Sequence, residues 1–324
     1  MSTEGGTKAV VAALLANVGI AISKFVAWAV TGSSSMLSEA IHSVADSCNQ
    51  VLLLIGGKRA KRAADESHPF GYGRRRYVYA FVVSIILFLV GGLFALYEGF
   101  HKFQFPEELT QPQWAFGVLI VAIVLESFSL RTALRESKRS RGSKPLSKFV
   151  RDARQPELPV VLLEDTGALI GLAFALFGVT MAVVTGDGRW DGLGSMAIGV
   201  LLVVIAVFLS FEVSSMLVGE SALPEDEALI RAALGDDPHI DRVIHLRTLH
   251  VGPDELLVAA KIAVGRRDTA AEVAEAIDAA ERRLRAAVPS ATYVFLEPDI
   301  DRSPLTAVAA PEAPPTDSAR PDGP

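Results

Sequence analysis

Six stretches of this chain are apolar for about the length a lipid bilayer demands. They run over residues 9–30, 35–57, 77–100, 112–134, 158–186 and 190–219. A helix needs roughly 20 mainly apolar residues to cross the hydrocarbon core. No water reaches backbone groups there, so each stretch is predicted to be an α-helix. A soluble helical bundle of this size has no use for so many runs of this length. The fold class expected is an α-helical membrane protein with six transmembrane helices. The first run follows a single basic residue, Lys8, holds Asn17 and Lys24, and has no small-residue cleavage site. It therefore reads as a span, not as a signal peptide.

Composition sharpens this through its distribution. Up to residue 221 there are 20 Lys/Arg against 18 Asp/Glu, from 222 to 302 there are 10 against 16, and the last 22 residues hold 1 against 3. The overall charge of −6 is a sum over unlike parts. A single soluble domain and a nucleic-acid-binding protein both fit it poorly. Cys48 stands alone, which excludes an intrachain disulfide and any CxxC metal or redox motif. No nucleophile–base set and no phosphate-binding loop is present, so neither enzyme chemistry nor a resident cofactor is expected. The Arg/Ala-rich composition points to a bacterial source.

Cytoplasmic loops retain Lys and Arg. Lys58, Arg59, Lys61, Arg62, Arg74, Arg75 and Arg76 follow the second run, and nine more basic residues between Arg131 and Arg154 follow the fourth. Lys102 and Arg189 lie on the other side. This bias predicts a cell-membrane protein with both termini in the cytoplasm. After Pro224 the texture changes to a helix at 225–234, strands at 243–251 and 256–264 around Gly252-Pro253-Asp254-Glu255, a helix at 269–287 and a strand at 293–296. Thr269 and Glu272 are placed as a capping box. The organisation expected is a transmembrane domain over 1–221, a small αββαβ cytoplasmic domain over 222–302, and a disordered tail over 303–324.

Ionisable residues inside apolar spans are costly and mark ion or proton paths. The second span holds Glu39, His42 and Asp46. His42 and Asp46 are four apart, so they share a helical face one turn apart. An imidazole and a carboxylate so placed can reach one divalent cation, or form a hydrogen-bonded pair that locks two helices. The fifth span carries Glu164 and Asp165. If the two helices pack together, Asp165 adds a third ligand. Three N/O donors and a fourth group suit tetrahedral Zn²⁺, and an oxygen-rich variant accepts Mn²⁺ or Fe²⁺. Asn49, three residues beyond Asp46, is a candidate to support its carboxylate, and Glu126 in the fourth span is a candidate proton acceptor or ion-pair partner. Lys24 is expected either to snorkel to the membrane surface or to pair with an acidic side chain.

The segment Ser33-Ser-Ser-Met-Leu-Ser-Glu-Ala-Ile-His-Ser-Val-Ala-Asp46 resembles the second-helix signature of the cation diffusion facilitators. Asp65-Glu-Ser-His68-Pro-Phe-Gly-Tyr-Gly73 is similar to the loop that follows that helix, and His245-Leu-Arg-Thr248 with Gly252-Pro253 to the first hairpin of the family's cytoplasmic domain. The Leu162-Leu163-Glu164-Asp165 form of the fifth span is similar to the branch that includes the mitochondrial zinc transporter of animals. The resemblance implies six membrane helices, a metallochaperone-like C-terminal domain, a homodimer, and export of a divalent metal, most often zinc, in exchange for protons.

Carried over residue by residue, the resemblance makes His42, Asp46 and Asp165 transport ligands. It puts the fourth on Val161, which cannot bind metal, so either Glu164 swings in as its replacement, water completes the shell, or the site binds more weakly with an altered metal preference. The family's loop site falls on Asp65, His68 and Tyr72, the last a poor zinc ligand near neutral pH. The loop motif reads equally as one kept for turn geometry by Gly71 and Gly73. His239, His245 and His250 match none of the usual ligands of the cytoplasmic domain. Two other readings stand beside zinc export: a Mn²⁺ or Fe²⁺ exporter using the same site, and a non-transporting membrane metal sensor or scaffold.

Overall fold

The structure, a computed structural model, describes residues 3–141 and 145–300. The predicted tail over 303–324 and part of the basic loop after the fourth run lie outside the described residues. Helices α1 (Thr3–Thr31), α2 (Ser34–Ala60), α3 (Arg75–Ile86) and α4 (Phe94–Gln104) come first, with a π-helical stretch, Leu87–Leu93, joining α3 to α4. Helices α5 (Pro112–Arg141), α6 (Leu146–Asp152), α7 (Glu157–Thr185) and α8 (Arg189–Val218) follow. Then come α9 (Pro224–Gly235), β1 (Ile240–Gly252), β2 (Glu255–Val264), α10 (Ala270–Ala287) and β3 (Ala291–Ile300).

Two compact units result. The first runs up to Leu223 and also takes in Thr248–Leu257, and the second comprises Pro224–Arg247 and the chain from Val258 onward. The turn end of the β1–β2 hairpin thus groups with the helices, although sequence order alone puts it in the later domain.

Among the described residues four helical rods are long and apolar enough to cross a membrane: Arg75–Gln104, Pro112–Lys138, Glu157–Thr185 and Arg189–Val218. The first unit is also arranged inside out relative to a soluble protein. Lys24, Glu39, His42, Asn49 and Asp191 are buried, whereas Ile22, Val82, Val121, Val204 and Phe211 are exposed. An apolar exterior around a polar interior is the surface of a multi-pass membrane bundle, because lipid solvates the outer face and charges turn inward. The interior between the polar groups is filled by Met36, Leu87, Leu119, Leu172, Ile198, Leu202 and Leu209.

Helices pack in this setting by close backbone approach, since lipid tails remove the hydrophobic drive between them. The α4–α8 seam shows how. A Cβ on Gly99 would lie 2.6 Å from both the Gly192 oxygen and the Met196 nitrogen, and one on Gly192 would lie 2.7 Å from the Gly99 oxygen. Each glycine gives the room the other needs. In the π-helical stretch, a Cβ on Gly92 would meet the Val203 side chain at 2.8 Å, which extends the same seam.

The start of α2 is set by a tertiary cap. Ser33 is its N-cap, accepting from the Met36 nitrogen at 3.2 Å. The buried Asp191 carboxylate, in the first turn of α8, accepts from Ser33 Oγ at 2.7 Å, the Ser34 nitrogen at 2.6 Å and the Ser35 nitrogen at 3.3 Å. An acid at a helix N-terminus satisfies amides that have no intrahelical partner and faces the positive end of the helix dipole. Ser195 of α8 then bridges inward, contacting Ser38 Oγ at 2.5 Å and donating to the Ala95 carbonyl at 2.9 Å. The run of serines therefore pins α2 to α8.

The second unit follows the expected αββαβ order. Its three strands form one sheet in the order β1-β2-β3. Alternation along β2 buries Val258, Ala260 and Ile262 on one face. Helix α10 covers that core with Ala276, Ala280 and Leu284 and packs on α9 and β3. Its capping box is formed, with Thr269 Oγ1 accepting from the Glu272 nitrogen and Glu272 Oε2 accepting from the Thr269 nitrogen at 2.7 Å. The strands run further than the apolar pattern suggested, because their ends carry polar residues that the ladder accepts.

Two outcomes test this packing. Gly99→Ala should cost about 1–3 kcal/mol through forced helix separation. Gly117→Ala, whose added Cβ meets nothing within 4 Å, should be neutral in the same thermal unfolding series in detergent. Asp191→Ala should cost about 1–3 kcal/mol by orphaning buried donors, and Asp191→Asn, which keeps an acceptor oxygen, should lose less.

Candidate functional site

With its first residue capped, α2 carries its polar residues inward at helical spacing. His42 is buried, and its Nε2 lies 3.5 Å from Asp46 Oδ2. One turn earlier, Glu39 Oε2 accepts from Lys24 Nζ at 2.9 Å, and the same ammonium donates to Ser43 Oγ at 2.8 Å. Both Lys24 and Glu39 are fully buried. Lys24 does not reach out to the membrane surface. It is the positive end of an ion pair that ties α1 to α2. Such a pair is strongly destabilised when only one partner is removed.

Helix α7 supplies the opposite wall. Glu164 and Asp165 are both buried. Asn49 Nδ2 donates to Glu164 Oε1 at 2.8 Å, so the carboxylate turns toward α2. Asp165 Oδ2 accepts from Ser129 Oγ of α5 at 2.8 Å. Glu126, one turn before Ser129, is in electrostatic reach of Lys24, Asp46, Asp165 and His42. Asp46 in turn feels Asp165 and Glu39, and Glu164 feels both Asp46 and Asp165. Gly171 and Gly91 shape the space. A Cβ on Gly171 would sit 2.7 Å from Glu39 Oε1, and one on Gly91, in the π-helical stretch, would lie 4.0 Å from His42 Nδ1. π-Helical turns recur at functional sites, and this one passes His42.

The interior thus brings His42, Asp46, Glu164 and Asp165 into one electrostatic neighbourhood, with Asn49 and Ser129 holding two of the carboxylates. Among the described residues, no three His, Cys, Asp or Glu side chains close on a single point as metal ligands would. What the site has is spare acceptor capacity. Glu39 Oε1, Asp46 Oδ1, Asn49 Oδ1 and both His42 nitrogens are buried without a hydrogen-bond partner. The buried oxygens, and the one unprotonated nitrogen of a neutral imidazole, are acceptors that a proton or a cation satisfies.

Ser129, Ser43 and Asp191 were not singled out from sequence. Hydroxyls in apolar helices are common, and nothing along the chain marks the few that meet a carboxylate. The Gly91-Gly92 pair was the available sign of a special backbone.

Asp65 and His68 lie apart from this interior, in the loop between α2 and α3. Asp65 Oδ1 accepts from Ser67 Oγ at 2.6 Å, the His68 nitrogen at 2.9 Å and the Ser67 nitrogen at 3.1 Å. Its Oδ2 accepts from Tyr72 OH at 2.7 Å and Arg62 Nη2 at 2.8 Å. Ser67 and Tyr72 chiefly, then the His68 amide and Arg62, hold this carboxyl well below the usual carboxylate range. The backbones of Asp65 and His68 exchange hydrogen bonds of 3.2 and 3.1 Å, and the His68 and Tyr72 rings lie 4.2 Å apart. A Cβ on Gly73 would lie 2.9 Å from the Gly252 Cα, which accounts for the glycine at the end of the motif.

A model of the cation efflux transmembrane domain matches residues 10–218. The human protein described as proton-coupled zinc antiporter SLC30A9, mitochondrial, is 35% identical over 244 residues, which is 75% of this chain and 43% of that protein. The cation-efflux pump FieF of Serratia proteamaculans is 30% identical over 252 residues, 77% of this chain and 78% of the pump. The magnetosome protein MamB of a Magnetospira strain is 27% identical over 246 residues, 75% of this chain and 78% of that protein. The chain therefore spans less than half the length of the mitochondrial antiporter and most of the length of the two bacterial proteins. With the transmembrane model matching well over half of its residues, the chain belongs to the cation efflux family, the cation diffusion facilitators.

Proposed function

We propose that this protein exports a divalent cation, Zn²⁺ foremost, in exchange for protons, by alternating access in a homodimer. The observation that carries the reading is the charge balance of the buried interior. Among the described residues around His42, five carboxylates (Glu39, Glu164 and Asp165, which are buried, and Asp46 and Glu126, which are mostly so) face one ammonium, Lys24, in a bundle whose exterior is apolar. Lys24 answers Glu39 directly. The remainder suits a divalent ion or protons, and not both together. The similarity to a protein described as a proton-coupled zinc antiporter supports the choice of ion.

In this reading α1 and α2 span the bilayer with the four apolar rods, making six spans. Helix α2 is 27 residues long, or about 40 Å at 1.5 Å per residue, and its polar face is turned inward. Residues 1–221 form the transport domain and 222–302 a cytoplasmic domain, with both termini on the cytoplasmic side where the basic loops lie.

Zinc is the cargo. His42, Asp46 and Asp165 bind it, and Glu164, already turned toward α2 by Asn49, takes the place that Val161 cannot fill. Ligands shed protons as metal binds, so affinity rises with pH. Return of a proton from the outer side, to His42 above all, releases the ion. Asp65 and His68, proposed from the loop motif as accessory ligands, would first have to give up the hydrogen bonds that staple the loop, so their part in this reading is to shape the cytoplasmic mouth. A second reading, Mn²⁺ or Fe²⁺ export, rests on the oxygen-rich donor set of three carboxylates to one imidazole.

Purified protein in vesicles should move Zn²⁺ when a pH difference is imposed, and Asp46→Ala should reduce that flux to background. Undiminished transport in the variant would remove Asp46 from the site. Zn²⁺ binding without flux in the wild type would identify a sensor or scaffold instead. Glu164→Gln keeps the acceptor for Asn49 and loses only charge. It should weaken Zn²⁺ binding about 10-fold with an unchanged melting temperature, and unchanged binding would assign Glu164 to packing alone.

A further inference from the structure

Where α2 ends and the Arg75–Gln104 rod begins, the first unit opens a cleft of about 1000 Å³. Its position at the ends of two consecutive helices puts it at the level where a bilayer meets water. Arg59, Arg74 and Arg75 line it, together with Tyr72, Tyr79 and Val82. The basic residues around it are of two kinds. Arg62 is paired with Asp65, and Arg76 with Glu157 and Asp254. Arg59, Arg74 and Arg75 have no carboxylate within ion-pair distance among the described residues.

Two of these guanidiniums, those of Arg59 and Arg75, are held by aromatic side chains. Arg59 Nη1 donates to Tyr79 OH at 2.5 Å, and the Arg75 guanidinium sits 4.4 Å from the centroid of the Tyr72 ring. Stacking orients the planar fork and leaves its remaining N–H groups for a ligand. From this cationic rim an apolar ladder runs along one face of α3 and into the π-helical stretch. Val78, Val82, Ile85 and Leu89 succeed one another at helical spacing, and all are exposed.

A cationic, phosphate-matched rim continuous with an exposed apolar stripe is complementary to one kind of molecule. We propose that the cleft binds the headgroup of an anionic phospholipid, with its acyl chains laid along Val78, Val82, Ile85 and Leu89. Guanidinium forks match phosphate oxygens in pairs, and basic pockets beside membrane helices take anionic headgroups in this way. A free phosphate would answer the rim alone and leave the stripe unused. The site is separate from the interior carboxylates and does not depend on the ion transported.

The test uses the full chain in neutral detergent, with native mass spectrometry reading bound lipid from equal mixtures of phosphatidylglycerol and phosphatidylcholine. Phosphatidylglycerol should be retained about tenfold over phosphatidylcholine, and each of Arg59→Gln and Arg75→Gln should lower that preference about twofold. The triple change with Arg74→Gln should abolish it. Val82→Ser should shorten lipid retention without changing headgroup preference. Equal retention of the two lipids by the wild type would overturn the proposal. So would a preference that survives the triple change in protein that elutes and melts as the wild type does. Complete displacement of the lipid by millimolar glycerol phosphate would reassign the rim to a soluble anion. Loss of self-association with no change in lipid preference would reassign it to a contact between copies of the chain. The single variants, at half-buried or exposed positions, keep the test open if the triple variant fails to fold.

Discussion

A charge taken into the interior of a membrane bundle has to be answered by a counter-charge, a hydrogen-bond donor or a proton, and most of this structure is organised around that need. Lys24 answers Glu39 directly. Asn49 answers one oxygen of Glu164, and Ser129 one oxygen of Asp165. Asp191 is answered by the hydroxyl and amides at the start of α2. What is left over is acceptor capacity on Asp46, on His42 and on the second oxygen of Glu39. The desolvation that makes each group costly also makes each group discriminating, because an unpartnered acceptor in a low-dielectric setting admits cations and repels anions.

The apolar parts serve that arrangement by fixing distances. Helix α8 is the common wall. Its glycines let α4 approach at backbone contact, its first turn caps α2 through Asp191, and it packs against α7. Helix α2 is thus clamped at its start and held along its length before any of its functional side chains is considered. The π-helical stretch between α3 and α4 brings Gly91 past His42. A local change of helical pitch shifts which residues face inward, and here it places a residue without a side chain beside the imidazole.

Much of this was legible along the chain. Every apolar run is helical, because length and continuous apolarity in a membrane leave the backbone one option. But α1 starts six residues early, α5 ends seven late, the third run is broken by a π-helical stretch, and four of the rods, among the described residues, are long and apolar enough to cross a membrane. The capping box of α10 and the hairpin after β1 rest on local chemistry and appeared as read. The pairing of His42 with Asp46 followed from a spacing of four on one helix. Lys24 was visible as an oddity, but its partner lies 15 residues away on another helix, and no periodicity links the two. The role of Ser33, Ser34 and Ser35 was likewise hidden, because the acid they meet lies more than 150 residues downstream. The Asp65–Tyr72 loop, read from sequence as a ligand set or a turn, is densely hydrogen-bonded to itself.

The sequence by itself determined that this chain is a set of membrane helices followed by a small αββαβ unit, and it singled out the few ionisable groups inside the apolar runs as the candidates for function. Both conclusions depend on interactions that are local or averaged: hydropathy over a span, caps, turns, and spacing on one helix. Tertiary structure alone decided which ionisable groups meet, which are neutralised by a neighbour and which keep spare acceptors. It also decided that Asp191 is a cap and that, among the described residues, three arginines around one cleft lack a carboxylate partner. Those outcomes turn on contacts between helices far apart in the chain, where an error of one residue in rotation would exchange a buried partner for lipid.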